Sequence, residues 1–270
     1  MIAVLLSMQL AVGQSTAVAA SGSAPVRSAA PHRVVVVDAG HGGPDNGMVG
    51  PLGAGRRLVE KTITLAVAKA VGQLLAERGV KVVYTRTTDT LIALSDRGRI
   101  ANEAGGSLFL SIHVNAANPD WERPSAARGF ETYFLSDAKT EDEARVAAME
   151  NASIRFEDVS KATGSAVENI LRDMKQNQDL RESSMLGAAV QDRLGRVHPG
   201  PSRGVKQAGF RVLVTAYMPA VLIEIGFGSN PAEAAYLNDP AKQRVLARSI
   251  TDAAIEYLEG YERRASGSRR

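Results

Sequence analysis

The sequence of 270 residues contains no cysteine, and this absence narrows the chemistry available to it. There can be no disulfide, no thiolate nucleophile and no metal site built on sulfur, so a metal ion would have to be held by histidine and carboxylate side chains. The net charge is only +3, and no basic block stands out apart from the terminal Arg269 and Arg270. Nucleic acid is therefore not an expected partner.

Long hydrophobic runs are also absent. The apolar run Ile2–Val12 is too short for a bilayer, which takes about 20 apolar residues, so no stable membrane span is expected. The first 26 residues carry no charged side chain, and Ala17-Val18-Ala19 resembles a cleavage site. These features predict a signal peptide over 1–20, a linker over 21–31 and a periplasmic or secreted protein. An apolar leader without an export role is the alternative, because no Lys or Arg precedes the run.

The remaining composition, 44% hydrophobic and 23% charged, is typical of a globular protein. The run Arg33–Val37 is almost continuously β-branched, which is typical of a parallel strand buried on both faces. Further strand-like runs occur at Val80–Thr85, Leu108–Val114, Phe130–Leu135 and Val221–Ile225. Helical patterns occur at Val59–Arg78, Ile92–Ala104, Thr140–Ala152, Ser183–Leu194 and Pro240–Leu258.

This alternation predicts an α/β fold with a mostly parallel twisted sheet and helices on both faces. We expect a single domain over 32–262, with an inserted helical segment at 137–184 and a flexible polar tail at 263–270. The chain is expected to be a monomer.

Two of the four histidines lie where α/β sheets build their sites. His41 follows the first strand in a glycine-rich turn, and His113 ends the third strand-like run. A structural turn residue is the alternative for His41, and a satisfied core residue is the alternative for His113. His32 and His198 lie in a linker and a proline-rich loop, where solvated or turn-forming roles are expected.

One carboxylate, Glu224, stands inside an otherwise apolar strand-like run. Burying it unpaired would cost several kcal/mol, so it needs a cation, a partner or a raised pKa. A structural pair with an arginine is one explanation. The other is a catalytic zinc site, because His41, His113 and Glu60 together with Glu224 supply two histidines, a carboxylate ligand and a second carboxylate to move protons.

These motifs resemble the zinc-dependent N-acetylmuramoyl-L-alanine amidases of the cell-wall-hydrolase type, the amidase type 3 family. The matching segments occur in the family's order: Val36–Gly43, Glu60-Lys61, Thr85-Arg86 with Arg97 and Ala101-Asn102, Ser111–Ala116 and Val221–Asn230. The resemblance implies zinc ligands at His41, Glu60 and His113 and a catalytic glutamate at Glu224. Some relatives have Asp where Asn115 stands, which puts a further metal contact there in doubt.

The implied reaction is hydrolysis of the amide between N-acetylmuramic acid and the L-alanine of the peptidoglycan stem peptide, with Zn²⁺ as cofactor and peptidoglycan as substrate. Gly42, Gly43 and Gly47 would let the substrate approach or simply form turns. Arg86 and Arg97 would bind substrate carboxylates or, as the simpler alternative, pair helices with strands.

In some relatives an inserted helix blocks the zinc until a partner removes it. The resemblance makes Glu150 the candidate to occupy the open metal position here, with an activator protein relieving the block. A surface helix with a solvated charged face explains the same residues.

Two rival functions remain at this point. A zinc deacetylase of cell-wall sugars would use similar ligands. A non-catalytic peptidoglycan-binding module is the other rival, but the intact set of His41, Glu60, His113 and Glu224 argues against it.

Overall fold

The computed structural model describes residues 33–157 and 169–267, which belong to one compact unit. The strands are β1 (Val34–Ala39), β2 (Val49–Gly53), β3 (Arg56–Val59), β4 (Lys81–Tyr84), β5 (Leu108–Asn115), β6 (Phe130–Leu135), β7 (Ser202–Ala208) and β8 (Ala220–Phe227). The helices are α1 (Glu60–Ala76), α2 (Leu94–Glu103), α3 (Glu141–Asn151), α4 (Asn169–Gly195), α5 (Arg211–Val214), α6 (Pro231–Leu237) and α7 (Pro240–Gly267). The predicted signal peptide and linker lie outside the described residues.

Six strands form a central sheet in the order β4-β1-β5-β8-β6-β7. The first four of these are mutually parallel, β6 pairs antiparallel with β8, and β7 pairs parallel with β6. The remaining two strands, β2 and β3, form a separate hairpin. The predicted mostly parallel sheet is therefore confirmed, and the carboxyl ends of β1, β5 and β8 meet at one edge.

Helices cover both faces of this sheet, as predicted. Alternate residues of β1 separate the two cores: Val35 and Val37 pack in a cluster with residues of α1, α4 and α7, whereas Val36 packs with residues of α2, α3 and α5. Buried parallel strands are apolar on both faces, which explains the unbroken valine run. Polar residues on the α2/α3/α5 face are consequently exceptions that need partners.

Several elements differ from the sequence predictions. Strand β7 and the β2–β3 hairpin were not predicted, because β7 is polar and the hairpin strands are only five and four residues long. The flexible tail predicted at 263–270 is wrong for its first five residues, since α7 continues through Gly267. Arg264 in this extension donates to Glu182 at 2.7 Å and lies over the ring of Tyr257.

Thr140 and Glu143 cap the start of α3. Thr140 accepts a hydrogen bond from the backbone N–H of Glu143 at 3.2 Å, and the Glu143 carboxylate accepts one from the N–H of Lys139 at 2.6 Å. In the described ranges, no helix combines the length and the apolar character that a membrane crossing requires.

Candidate active site

The candidate site lies where β1, β5 and β8 end. His113 of β5 and Glu224 of β8 are direct partners in the parallel register, so their side chains leave the same face of the sheet. His41 follows β1 with a φ of 60°, a left-handed conformation that is uncommon for residues other than glycine. Glu60 is the first residue of α1 and is fully buried.

Four side chains from this region converge on one point. His41 Nε2 lies 3.1 Å from both Glu60 Oε1 and Glu150 Oε2, and His113 Nδ1 lies 3.2 Å and 2.8 Å from the same two oxygens. All four residues are buried, and their ligand atoms lie within 4.8 Å of one another. The structure thus brings together the three predicted ligands and Glu150 in a cluster that could hold a metal ion.

Three of these atoms lack a hydrogen-bond partner within the described residues. They are His41 Nε2, His113 Nδ1 and Glu150 Oε2, and each is buried. Buried polar atoms are normally satisfied, so atoms left over and aimed at one point indicate an interaction other than a hydrogen bond. The donor set of two imidazole nitrogens and two carboxylate oxygens is one that divalent transition metals bind.

The cluster strongly perturbs its own ionisation. Burial alone would lower the pKa of His113, but Glu150 and Glu60 outweigh burial and raise this pKa to about 10. The pKa of His41 is also raised, against burial, by Glu60 and Glu150. Burial would raise the pKa of Glu60, but the two imidazoles lower it. The two carboxylates, Glu60 and Glu150, therefore stabilise a positive charge placed between them.

A hydrogen-bonded residue that sequence reasoning missed, Asp45, orients His41 from behind. Asp45 Oδ2 lies 2.8 Å from His41 Nδ1, and Oδ1 accepts from the Gly47 N–H at 3.1 Å. Asp45 Oδ2 also accepts from Ser153 Oγ at 2.7 Å. A carboxylate behind a histidine is the usual support of a metal ligand, and its position four residues after His41 was the available signal.

The two arginines of the resemblance are structural rather than exposed to substrate. Arg97 pairs with the buried Asp38 at 2.7 Å and donates to the carbonyl oxygens of Ala39 and His41. Arg86 donates to the carbonyl oxygens of Ala39 and Gly40 at 2.9 and 2.8 Å. These contacts fix the chain at the end of β1, so the helix-to-strand alternative is the one that the structure supports.

Glu224 differs from the other buried acids because neither of its carboxylate oxygens has a hydrogen-bond partner within the described residues. Its pKa is raised, first by burial and then by the negative charge of Glu150. The expected structural pair with an arginine is absent among the described residues, where no ion pair to Glu224 is found. An unpaired, buried carboxylate beside His113 is typical of a functional group.

The opposite neighbour of Glu224 is Glu131 of β6, which is also fully buried. Unlike Glu224, it is fully partnered: it accepts from Asn115 Nδ2 and, at 2.9 Å, from the Tyr133 hydroxyl. The amide of Asn115 therefore points toward Glu131.

Helix α3 carries Glu150 into the site. Val146, Ala147 and Glu150 are buried on its inner face, whereas Glu141 and Ala148 are exposed. The alternative of a surface helix with a solvated charged face is therefore wrong for this inner face. The segment after α3 adds the Ser153 contact to Asp45. Charged residues continue downstream at Glu157, Asp158, Lys161 and Glu168. Glu157 accepts a hydrogen bond from the Leu94 N–H at 2.7 Å, and the other three lie outside the described residues.

The glycines after His41 are required by close packing within the protein. A Cβ on Gly42 would lie 2.2 Å from the Thr90 carbonyl oxygen, and one on Gly47 would lie 2.5 Å from Glu60 Oε2.

His198 is buried and lies between the rings of Phe130 and Tyr236, with Nδ1 accepting from the Gly200 N–H at 2.9 Å. The predicted turn-forming role of His198 is therefore confirmed by its bond to Gly200, but the predicted exposure to solvent is wrong.

The match to known proteins is extensive. A family model described as N-acetylmuramoyl-L-alanine amidase matches residues 35–256. The chain belongs to this amidase family. The resemblance drawn from the motifs is thereby confirmed, and the matched range spans β1 to α7.

Individual relatives of this amidase cover most of its length. It is 33% identical over 242 residues to the N-acetylmuramoyl-L-alanine amidase AmiA of Escherichia coli K12, a match that covers 88% of this chain and 80% of AmiA. An N-acetylmuramoyl-L-alanine amidase from Clostridium difficile 630 superposes with a TM-score of 0.63 at 27% identity, covering 85% of this chain and 98% of that one. The CwlD amidase from Clostridioides difficile, solved in complex with the GerS lipoprotein, shares the fold with a TM-score of 0.60 at 24% identity, over 84% of this chain and 98% of CwlD.

Proposed function

We propose that this amidase hydrolyses the amide bond between N-acetylmuramic acid and the L-alanine of the peptidoglycan stem peptide, using a zinc ion held by His41, Glu60 and His113. The observation that carries this proposal is the cluster of two imidazole nitrogens and two carboxylate oxygens at separations of 2.8 to 3.2 Å. Tetrahedral zinc with ligands at about 2.0–2.2 Å needs neighbouring ligand atoms about 3.3–3.6 Å apart. The four measured separations are within about 0.8 Å of that range, and all four ligand atoms lie within 4.8 Å of one another.

A bound zinc ion would polarise the scissile carbonyl and acidify a water molecule. The chain itself supplies the proton transfers through Glu224. This carboxylate lies one strand from His113, is fully buried and has no competing hydrogen bond within the described residues. It can therefore take a proton from the attacking water and pass it to the leaving amine nitrogen of L-alanine, which is the role of a general base and then a general acid.

Glu150 occupies the position that a substrate carbonyl or water needs. We infer that the observed arrangement is a closed form in which the inserted segment suppresses turnover. Opening requires a substrate or activator protein that binds the open form better, because a ligand shifts an equilibrium only by its differential affinity. Reversing a ratio of 1:99 takes about 5.5 kcal/mol of such preference. The solved structure of CwlD in complex with the GerS lipoprotein supports a search for such a partner.

Peptidoglycan lies outside the cytoplasm, so we propose that the chain acts in the periplasm or as a secreted protein after removal of residues 1–20. The N-terminal sequence of the exported protein tests this. The monomeric state stays a prediction, and light scattering on the purified protein tests it.

The decisive experiment combines product identification with zinc content. Purified peptidoglycan digested with the protein should release free stem peptides beginning with L-alanine, and mass spectrometry should find intact N-acetyl groups on the sugars. Released acetate would instead support the deacetylase alternative. If neither the parent nor Glu150→Ala releases any product, the alternative of a non-catalytic peptidoglycan-binding module is supported. His113→Ala should lose zinc and activity together.

The closed form is tested with Glu150→Ala and with a deletion of Asp142–Arg181 bridged by a short Gly/Ser linker. Both should hydrolyse peptidoglycan faster than the parent, with one zinc ion still bound. Glu141→Ala is the matched control, because Glu141 lies on the exposed face of α3. If neither folded variant is faster than the parent, the inserted segment does not regulate the site.

A further inference from the structure

We propose that Arg203 and Lys206 of β7, together with Trp121, form a subsite for a free carboxylate on the stem peptide, and that Asp142 of α3 covers this subsite in the closed form. The proposal rests on the proposed function and deepens it, because it names the part of the substrate that is recognised.

The two cations contact the buried carboxylate that lies beside the candidate catalytic residue. Glu131 of β6 is the register partner of Glu224, and it accepts from Arg203 Nε at 2.9 Å and Lys206 Nζ at 2.6 Å. Neighbouring strands lie about 4.8 Å apart, so β7 runs about 10 Å from the strand that carries Glu224. That separation is within the reach of a short peptide whose first amide lies at the candidate metal centre.

Without α3, the cations around Glu131 outnumber the nearby carboxylates. Arg203 and Lys206 share the single buried carboxylate of Glu131. The next acid, Asp142, lies 3.7 Å from Arg203 Nη2 and 3.8 Å from Lys206 Nζ, which is too long for a hydrogen bond. Asp142 is instead bonded to Arg145 at 3.0 Å. When α3 moves away, a surplus positive charge is left facing the opened groove.

The Arg203 guanidinium is held ready to bind a carboxylate. It lies over the ring of Phe227 at 5.0 Å and over the ring of Trp121 at 5.8 Å, and its Nε is fixed by Glu131. Its side chain remains 27% exposed. A planar guanidinium fixed on one edge presents its remaining N–H groups as a fork, which suits two-point binding of a carboxylate.

Helix α3 places negative charge at both ends of this path. Glu150 lies at the candidate metal centre and Asp142 lies beside the cation pair. They are eight residues apart, which is about 12 Å along a helix. An extended peptide covers about 12 Å in three to four residues at about 3.3 Å each. The acid of the muramoyl group is consumed in the scissile amide, so the recognised carboxylate must lie on the stem peptide, within its first four residues.

The test compares two soluble muramoyl-peptides that differ only in their stem carboxylates, which are free in one and converted to amides in the other. The readout is the ratio of their kcat/KM values, because opening of α3 affects both substrates and cancels in the ratio. The parent should prefer the free carboxylates by about tenfold or more, as expected for a charge-assisted hydrogen bond. Arg203→Gln should bring the ratio close to one, and Lys206→Gln should reduce it several-fold.

Matched variants separate recognition from folding. Arg193→Gln should keep the parental ratio, because Arg193 forms an exposed pair with Glu256. Arg203→Lys keeps the charge without the fork and should retain part of the preference. Melting temperature and zinc content are measured for each variant, and Lys206→Gln carries the test if Arg203→Gln does not fold. Asp142→Asn should raise both rates without changing their ratio.

Three outcomes would overturn the subsite. The parent could cleave both peptides within twofold of each other, the preference could survive in both Arg203→Gln and Lys206→Gln, or Asp142→Asn could leave both rates unchanged, which removes the covering role. Cleavage of neither peptide, even by Glu150→Ala, would contradict the proposed function instead. In that case calorimetry with the stem peptides alone tests the subsite. The parent should bind the peptide with free carboxylates about tenfold more tightly than the amidated peptide, and Arg203→Gln should bind both equally.

Discussion

The support of His41 by Asp45 makes a sharp prediction for Asp45→Asn. This carboxylate is buried, and its pKa is lowered to about 2 because the hydrogen bond and charge of His41 outweigh the opposing effect of burial. One of its oxygens lies 2.8 Å from His41 Nδ1 and 2.7 Å from Ser153 Oγ, and the other accepts from the Gly47 N–H. An asparagine has one acceptor oxygen, so it cannot serve all three donors, and it carries no charge.

The magnitude follows from the bond that is lost. A hydrogen bond to a charged group contributes about 1.5–3 kcal/mol, which corresponds to about 10–150-fold in an equilibrium constant. Replacing the residue behind a metal-bound histidine typically weakens metal affinity by about 10–100-fold. We therefore expect Asp45→Asn to raise the Kd for zinc by about 10–100-fold, because His41 loses both its fixed orientation and part of its basicity.

The assay is competition for zinc against a chromophoric chelator at fixed pH. Ser153→Ala is the matched control, since it removes the hydrogen bond from Ser153 to Asp45 but leaves the contact between Asp45 and His41 intact. Its zinc affinity should stay within about twofold of the parent on this reasoning. Asp96→Asn removes an acid from an exposed pair with Arg99 and should change nothing. A zinc Kd of Asp45→Asn within twofold of the parent would refute the reasoning.

The other predictions concern catalysis, packing and stability. Glu224→Gln should keep zinc content and melting temperature but lose about 10²–10⁴-fold in turnover on peptidoglycan, because the amide cannot accept a proton; parental turnover would contradict this. Gly47→Ala should lower the unfolding free energy in urea by about 2–5 kcal/mol, since its φ of 64° disfavours a side chain and its Cβ would meet Glu60; an unchanged midpoint would contradict it. Arg97→Ala should cost about 3–5 kcal/mol in the same assay by leaving the charge of Asp38 buried and unpaired, and a loss below 1 kcal/mol would contradict it.

The strands that position the site were predictable from the sequence because they are buried on both faces. In β5, Leu108, Leu110 and Ile112 pack on one face, so the polar residues Ser111 and His113 are forced onto the other. The same alternation in β8 places Glu224 beside His113. Three side chains at the ends of apolar strands or the start of an amphipathic helix therefore gave a recognisable pattern, and His41 completed it.

The parts of the site that could not be predicted depend on edges and turns. Strand β7 reads Ser-Arg-Gly-Val-Lys-Gln-Ala and is polar because most of its residues are half-exposed. Nothing in this pattern places Arg203 and Lys206 near Glu131. Asp45 contacts His41 because the chain turns between them, and two backbone hydrogen bonds between Gly42 and Asp45 stabilise this turn. Such contacts follow from tertiary geometry rather than from periodicity.

Zinc binding through Glu150 and the docking of α3 over the site are thermodynamically coupled. If Glu150 contributes a fourth ligand atom in the closed form, zinc binds the closed form more tightly than the open form, and zinc in turn stabilises the docked α3 by the same free energy. An activator must therefore overcome more than the docking contacts of α3 alone. The cation pair of Arg203 and Lys206 offers the substrate a way to assist, since a stem carboxylate would replace Asp142 and lower the cost of keeping the helix away.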